Sequence, residues 1–259
     1  MLPFLFKIGD FELPTFYTMM LIASLVGTTI TYRLAKRAQL SPLAAIDISI
    51  IGTLMGIFGA RIFHIVIEHP GYYLENPTHV WQIWRGGLVW YGGVIIGSAS
   101  VVAYLKRKKL PILPYIDVLT PALAVVLFFG RVGCFSVGCC FGQPTHLPWG
   151  IIFPSYTEAG RQFPALPLHP TQIYEAVATL AIAYAMFRVE LKKRFYGQTT
   201  AFYLIIYALV RSAIEILRAD ADRGIFFGVS TSQIISALAI GLGIFLYRHC
   251  KTRYPVSHS

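Results

Sequence analysis

The residues best suited to chemistry are charges and thiols set inside or beside apolar runs. In GRVGCFSVGCCFGQP, Gly130 to Pro144, a guanidinium (Arg131) and three of the four cysteines (Cys134, Cys139, Cys140) close a long apolar stretch. Elsewhere Tyr207, Arg211 and Glu215 follow one another at four-residue intervals, with Arg218 a turn further on, so that a phenol, a guanidinium, a carboxylate and a second guanidinium share one helical face. Arg61 and His64 share a face on another run. A guanidinium fork matches phosphate geometry, and a carboxylate one turn away can pair with it. A thiol beside an arginine is a candidate reactive thiolate.

The C-x4-C-C spacing fits neither paired zinc ligands nor the C-x-x-C redox motif. Three readings stay open: packing or a disulfide staple in an oxidising compartment, catalytic or redox use, and a metal site with His146 as a further ligand. Neither a metal nor a cofactor is expected.

These residues sit in an unusually apolar chain. Of 259 residues, 56% are hydrophobic and 13% charged, against about a quarter charged in a soluble domain. Several apolar runs reach the roughly 20 residues a bilayer-spanning helix needs, and none alternates like a barrel strand. The expected fold is an all-α polytopic membrane protein with seven spans, at about Leu13 to Tyr32, Leu43 to Ile67, Leu88 to Tyr104, Tyr115 to Val137, Thr171 to Val189, Thr200 to Leu217 and Val229 to Tyr247. Asp10 and Glu12 precede the first run where a signal peptide would carry lysine, so that run is expected to stay as a span.

The net charge of +10 is distributed as short basic clusters between spans, the pattern of loops facing anionic lipid, which argues against nucleic acid as a partner. One side collects Arg33, Lys36, Arg37, then Lys106 to Lys109, Arg188 with Lys192 to Arg194, and Arg248, Lys251 and Arg253. The other has Lys7, Arg85, Arg161, Arg218 and Arg223. The bias places the amino terminus outside and the carboxyl terminus in the cytoplasm. The reading is a single domain over 1–259, with an outer loop region at 138–170 and a cytoplasmic tail at 248–259.

Arg61, Arg131, Arg211 and Glu215 remain inside spans, where a central charge costs roughly 2.5 to 3.5 kcal/mol and marks a site by default. Three arginines against Glu215 leave an expected excess of two positive charges, which an anionic lipid headgroup would balance. Asp47 and Asp117 fall near the cytoplasmic ends of their spans. Tyr17 opens the first span, where an interfacial anchor is the plain reading. Gly130, Gly133, Gly138 and Gly142 mark a broken helix end, and Gly86-Gly87 with Gly92-Gly93 flank Tyr91 in a second such element.

In order and spacing, FYTMM at Phe16, GARIFHIV at Gly59, YGG at Tyr91, GRVGCF at Gly130, HPTQIYE at His169 and YALVRSAIEILRADAD at Tyr207 resemble the prolipoprotein diacylglyceryl transferases of bacterial inner membranes. The resemblance covers nearly the whole chain. It implies transfer of the diacylglyceryl group of phosphatidylglycerol onto the thiol of a lipobox cysteine in a secreted precursor, with release of glycerol phosphate. Arg131 matches the family's headgroup arginine, Arg211 and Glu215 its Arg/Glu pair, Tyr17 and Tyr207 its site tyrosines, and Gly142 the glycine closing its signature.

The chain also departs from the pattern. Tyr91 stands where the family has the histidine of His-Gly-Gly, Cys134 and Val137 where it has asparagines, and Cys139 where it has glutamate. A phenol with an ordinary pKa of about 10 is a poor base at neutral pH. The expectation is therefore a phosphatidylglycerol-dependent transferase in which Arg131, Arg61, Tyr17, Tyr207, Gly142 and Cys134 bind lipid, while Tyr91, Arg211, Glu215, Cys139 and Cys140 do the chemistry. Two other readings are a membrane thiol oxidoreductase built on Cys134, Cys139 and Cys140, and a non-catalytic anionic-lipid-binding member of the fold.

Overall fold

The computed structural model describes residues 1–8, 11–83, 86–219, 225–226 and 229–256. Asp10, Arg85 and Arg223, the last three residues of YALVRSAIEILRADAD, and residues 257–259 of the expected tail lie outside the described residues.

Every apolar run read from the sequence coincides with a long helix. A hairpin of β1 (Phe4–Ile8) and β2 (Phe11–Pro14) leads into α1 (Thr15–Arg37). Next come α2 (Pro42–Phe63), a π-helical turn at His64–Glu68, short α3 (Pro70–Glu75) and a 3-10 turn at Pro77–Trp81. The chain continues through α4 (Trp90–Arg107) and α5 (Ile112–Val137). Strand β3 (Ile151–Ile152), short α6 (Glu158–Gln162) and β4 (Pro167–Leu168) precede α7 (Thr171–Leu191) and α8 (Gln198–Glu215). A last hairpin, β5 (Ile225–Phe226) with β6 (Val229–Ser230), runs into α9 (Thr231–Arg253).

The fold is all-helical apart from these small antiparallel pairs. Thr15–Arg37, Pro42–Glu68, Ile112–Val137 and Thr231–Arg253 are each long and apolar enough to cross a bilayer. Leu21, Leu25, Leu54, Phe58, Leu238 and Phe245 are exposed on them, as expected of side chains that meet lipid.

Local chemistry sets the helix ends. Ser41 caps α2 by accepting from Ala44 N, with Pro42 in the first turn, where its missing N–H costs nothing. Ser230 and Gln233 exchange side-chain and backbone bonds of 3.2 Å each in a capping box at the start of α9. The start of α8 is capped from another helix. Buried Asp117 of α5 accepts from Gly197 N at 2.6 Å, Thr200 N at 3.1 Å and the Thr200 hydroxyl at 2.8 Å, satisfying donors that a helix start leaves unpaired. Lys193 lies 3.3 Å from Asp117 and 2.7 Å from Glu190. Counted above as a loop charge, Lys193 is instead buried in this ion cluster.

The chain divides into two compact units, residues 31–115 and residues 1–30 together with 116–259. In the first, α2 and α4 meet backbone to backbone. A Cβ on Gly59 would stand 2.5 Å from the Gly92 carbonyl oxygen, one on Gly93 would stand 2.9 Å from that of Gly56, and one on Gly97 would stand 3.1 Å from that of Gly52. Small residues of this kind let helices approach where no hydrophobic effect drives them together. In the second unit, Ala124 and Leu127 of α5, Ile182, Ala183 and Met186 of α7, and Tyr203 of α8 form the helical core. The 138–170 region has a core of its own, with Phe141, Phe153, Ala159 and Leu168 buried together.

Gly59→Ala is expected to destabilise the α2/α4 pair by about 1 to 3 kcal/mol, the usual scale of overpacking. Thermal unfolding in detergent, compared with substitution at Gly71, where a Cβ meets nothing within 4 Å, checks this.

Candidate functional site

In the unit containing residues 116–259, three helices bring four charges together. Arg131 lies under two turns from the end of α5, Glu175 one turn into α7, and Arg211 and Glu215 on the last turns of α8. Glu175 Oε1 is 2.8 Å from Arg131 Nη2 and 3.7 Å from Arg211 Nε, so a single carboxylate oxygen faces both guanidiniums. Arg211 Nη1 lies 2.6 Å from Glu215 Oε2, and Arg211 Nη2 donates to the Ser232 hydroxyl of α9 at 3.1 Å. Tyr207 faces Arg131 and stacks on Tyr203 with centroids 5.6 Å apart.

Glu175 is 1% exposed and Glu215 7%, and burying a carboxylate is costly unless it is paired, as both are here. This corrects the expected excess of positive charge, because the count from the sequence omitted Glu175. Within this unit Arg131 and Arg211 meet two carboxylates. The signal was present in HPTQIYE, but a glutamate one turn after a proline reads as belonging to a helix start rather than to a buried site.

Beside Arg131, the chain turns back on itself. Gly138 (φ +77°) ends α5 by donating its N–H to Cys134 O at 2.9 Å, the left-handed helix termination that glycine favours. Cys140 is also left-handed, at φ +62°. The first residues of α7 hold this reversal in place: Gln172 Nε2 donates to Cys139 O at 2.6 Å and the Thr171 hydroxyl to Cys140 O at 2.7 Å. The sulfurs of Cys134, Cys139 and Cys140 consequently lie within 4.8 Å of one another, all half-buried.

All three are free thiols, so the disulfide staple weighed from the sequence is not the state seen. Past the end of α5, the Cys140 thiol is drawn well below its ordinary pKa by hydrogen bonds from Cys134 and Cys139, then by Arg131 and Arg218. His146 is exposed and stands outside the sulfur cluster.

Gly142 is a crossing point. Its N–H donates to His169 O at 3.0 Å, Gln143 N–H donates to Leu217 O at 2.8 Å, and a Cβ on Gly142 would come within 2.8 Å of both carbonyl oxygens. The glycine expected among lipid-binding residues is thus where the segments leaving α5, entering α7 and leaving α8 join. Tyr17, in the first turn of α1, packs edge-on against Phe16, and Phe16 in turn fills the space over Gly133 of α5.

Residues 31–115 hold the other candidates. Arg61, expected to bind lipid, instead gives its donors to backbone carbonyls: Nε to Val80 at 3.0 Å, Nη1 to Gly86 at 2.7 Å and Gly87 at 3.2 Å, and Nη2 to His79 at 2.6 Å. It also lies over the Tyr73 ring at 5.1 Å. Here the guanidinium is the clamp of the segment between α3 and α4. His64 Nδ1 is 2.7 Å from Glu68 Oε2, and Tyr91 is half-buried in the first turn of α4.

Apolar helices long enough to span a bilayer, with Arg131, Glu175, Arg211 and Glu215 turned toward one another, define a multi-pass membrane protein. A family model described as prolipoprotein diacylglyceryl transferase matches residues 3–248. Among curated relatives, the phosphatidylglycerol–prolipoprotein diacylglyceryl transferase of Clostridium tetani is 32% identical over 247 residues, covering 95% of this chain and 97% of its own. Those of Fervidobacterium nodosum and Synechococcus elongatus are 33% and 30% identical, covering 95% and 93% of this chain and 84% and 85% of theirs. The chain belongs to the prolipoprotein diacylglyceryl transferase family.

Glu175→Gln is expected to cost about 3 to 5 kcal/mol, because it leaves buried guanidiniums without their shared carboxylate. Thermal unfolding in detergent measures it. Arg61→Lys keeps the charge but not the fork, and proteolysis between residues 69 and 87 is expected to quicken while helical content stays unchanged.

Proposed function

We propose that the chain is a phosphatidylglycerol-dependent diacylglyceryl transferase of the bacterial inner membrane, acting on the lipobox cysteine of secreted precursors. Family membership over nearly the full length supports this, and the observation that carries it for this chain is the pair of guanidiniums held on one carboxylate oxygen. In this reading Arg131 and Arg211, held together by Glu175, are the guanidiniums that meet the lipid phosphate. There they bind the headgroup and stabilise the charge that grows on the departing glycerol phosphate. Glu215 orients Arg211. Tyr207 and Tyr17 border the lipid, and Gly142 keeps the surrounding segments in register.

In this reading the seven long helices all cross the bilayer. The amino terminus is outside and the carboxyl terminus cytoplasmic, following the basic clusters. The whole chain acts as one transferase domain, with 138–170 on the outer face and 248–259 forming the cytoplasmic tail. Arg61 holds the segment between α3 and α4 through its carbonyl contacts. Cys134, Cys139 and Cys140 occupy the acceptor half, where the resemblance puts polar residues.

Complementation of a strain depleted of its own transferase tests the proposal. The wild-type gene is expected to restore growth and lipoprotein modification, and Arg131→Ala to fail. In membranes, Arg131→Ala is expected to slow glycerol phosphate release by about 100-fold or more, the usual scale of removing a preorganised donor. Normal transfer by Arg131→Ala would remove Arg131 from the reaction.

A further inference from the structure

We propose that Cys134, Cys139 and Cys140 are the protein ligands of a zinc ion whose fourth position takes the acceptor thiol. The assignment rests on the transferase reading above and adds to it the group that activates the acceptor.

The geometry fits such an ion. Sulfurs bound to tetrahedral zinc at about 2.3 Å stand about 3.8 Å apart, and these three already lie within 4.8 Å of one another, so small side-chain rotations close the site. The spacing in sequence matched no zinc motif because two of the ligands are adjacent and reach the third through a reversal. That reversal is fixed by Gly138, by the left-handed Cys140, and by Gln172 and Thr171 holding the Cys139 and Cys140 carbonyls. Gln172 Oε1 is fully buried at this turn and makes no hydrogen bond among the described residues.

Charge also favours it. Three thiolates around Zn2+ carry a net single negative charge; Arg131 lies about one turn before Cys134 on α5, and Arg218 is bridged to Gly142, two residues after Cys140. Three protein ligands leave one position open, the arrangement of catalytic rather than structural zinc.

The reaction supplies the reason for the site. Its nucleophile is a thiol, which at an ordinary pKa of about 8.5 is mostly protonated at neutral pH, and this chain has Tyr91 where the resemblance puts a histidine base. Coordination to zinc removes that need, since a bound thiol is deprotonated outright. The acceptor S–H gives its proton to water as its sulfur binds zinc. That sulfur then forms a bond to the glyceryl carbon as the bond from this carbon to phosphate oxygen breaks, and the electron pair leaves with glycerol phosphate. The thioether product is neutral, a weaker ligand than thiolate, and departs. No oxidant or reductant is consumed.

The test uses the full chain in detergent under reducing conditions, stripped with a chelator and reloaded with Co2+ as a visible stand-in for zinc. One Co2+ per chain is expected, with the absorption of a tetrahedral thiolate site. Cys139→Ser and Cys140→Ser, each with native helical content, should lose that spectrum, whereas Cys250→Ser should keep it. A lipobox peptide should shift the bands, and the same peptide with serine for cysteine should not. Glycerol phosphate release from phosphatidylglycerol vesicles should fall by about 100-fold or more on stripping, the scale of losing proton-transfer catalysis, and return with Zn2+. Full-rate transfer by stripped protein, a disulfide among the three cysteines in freshly isolated membranes, or a Co2+ spectrum blind to the acceptor thiol would overturn the zinc assignment and leave the transferase reading standing. Absence of transfer with and without Zn2+ would overturn the transferase reading, and the acceptor role with it.

Discussion

A carboxylate buried to 1% exposure between two guanidiniums is the constraint on which the site depends. Removing an ion from water costs several kcal/mol, and that cost is offset only when partners and geometry are both right. Glu175 therefore dictates where α5 and α8 can stand relative to α7. Moving either helix away would leave an uncompensated charge in an apolar interior. The same arrangement holds two guanidinium forks on one oxygen, and the proposed phosphate site rests on that pairing.

The second constraint is the treatment of buried backbone. Where α2 and α4 touch, side chains are omitted so that carbonyls pack directly against the neighbouring backbone. Where α5 ends, the exposed carbonyls of Cys139 and Cys140 are met by α7 side chains, and the segment that follows builds its own small core around Phe141. Arg61 does the corresponding work for the segment between α3 and α4, meeting four carbonyls with one guanidinium. Irregular backbone is tolerated where its carbonyls are met in this way.

The helices were legible because apolar length and basic punctuation are strong, local signals, and each run from Leu13 to Tyr247 found its helix. Arg131, Arg211 and Glu215 were legible for a related reason: charges inside apolar runs are conspicuous, and a four-residue spacing reports one face. Glu175 was missed because its partners lie on other helices and nothing local distinguishes it from a residue at a helix start. The carbonyl partners of Arg61 were not legible, because they belong to a loop whose path the sequence does not reveal. The cysteine cluster could be seen as composition but not as geometry, which depends on the left-handed turn at Cys140.

The Asp117 cap at the start of α8 has a consequence for the far end of that helix. An α-helix turns about 100° per residue. With Gly197 and Thr200 fixed on one carboxylate, the direction in which Arg211 points is fixed by counting from that anchor. Adding or deleting a single residue between Thr200 and Arg211 would swing the guanidinium by more than a quarter turn, away from Glu175. The separation of these residues along the chain is therefore a molecular ruler, so α8 is free to vary in the residues that face lipid but not in their number.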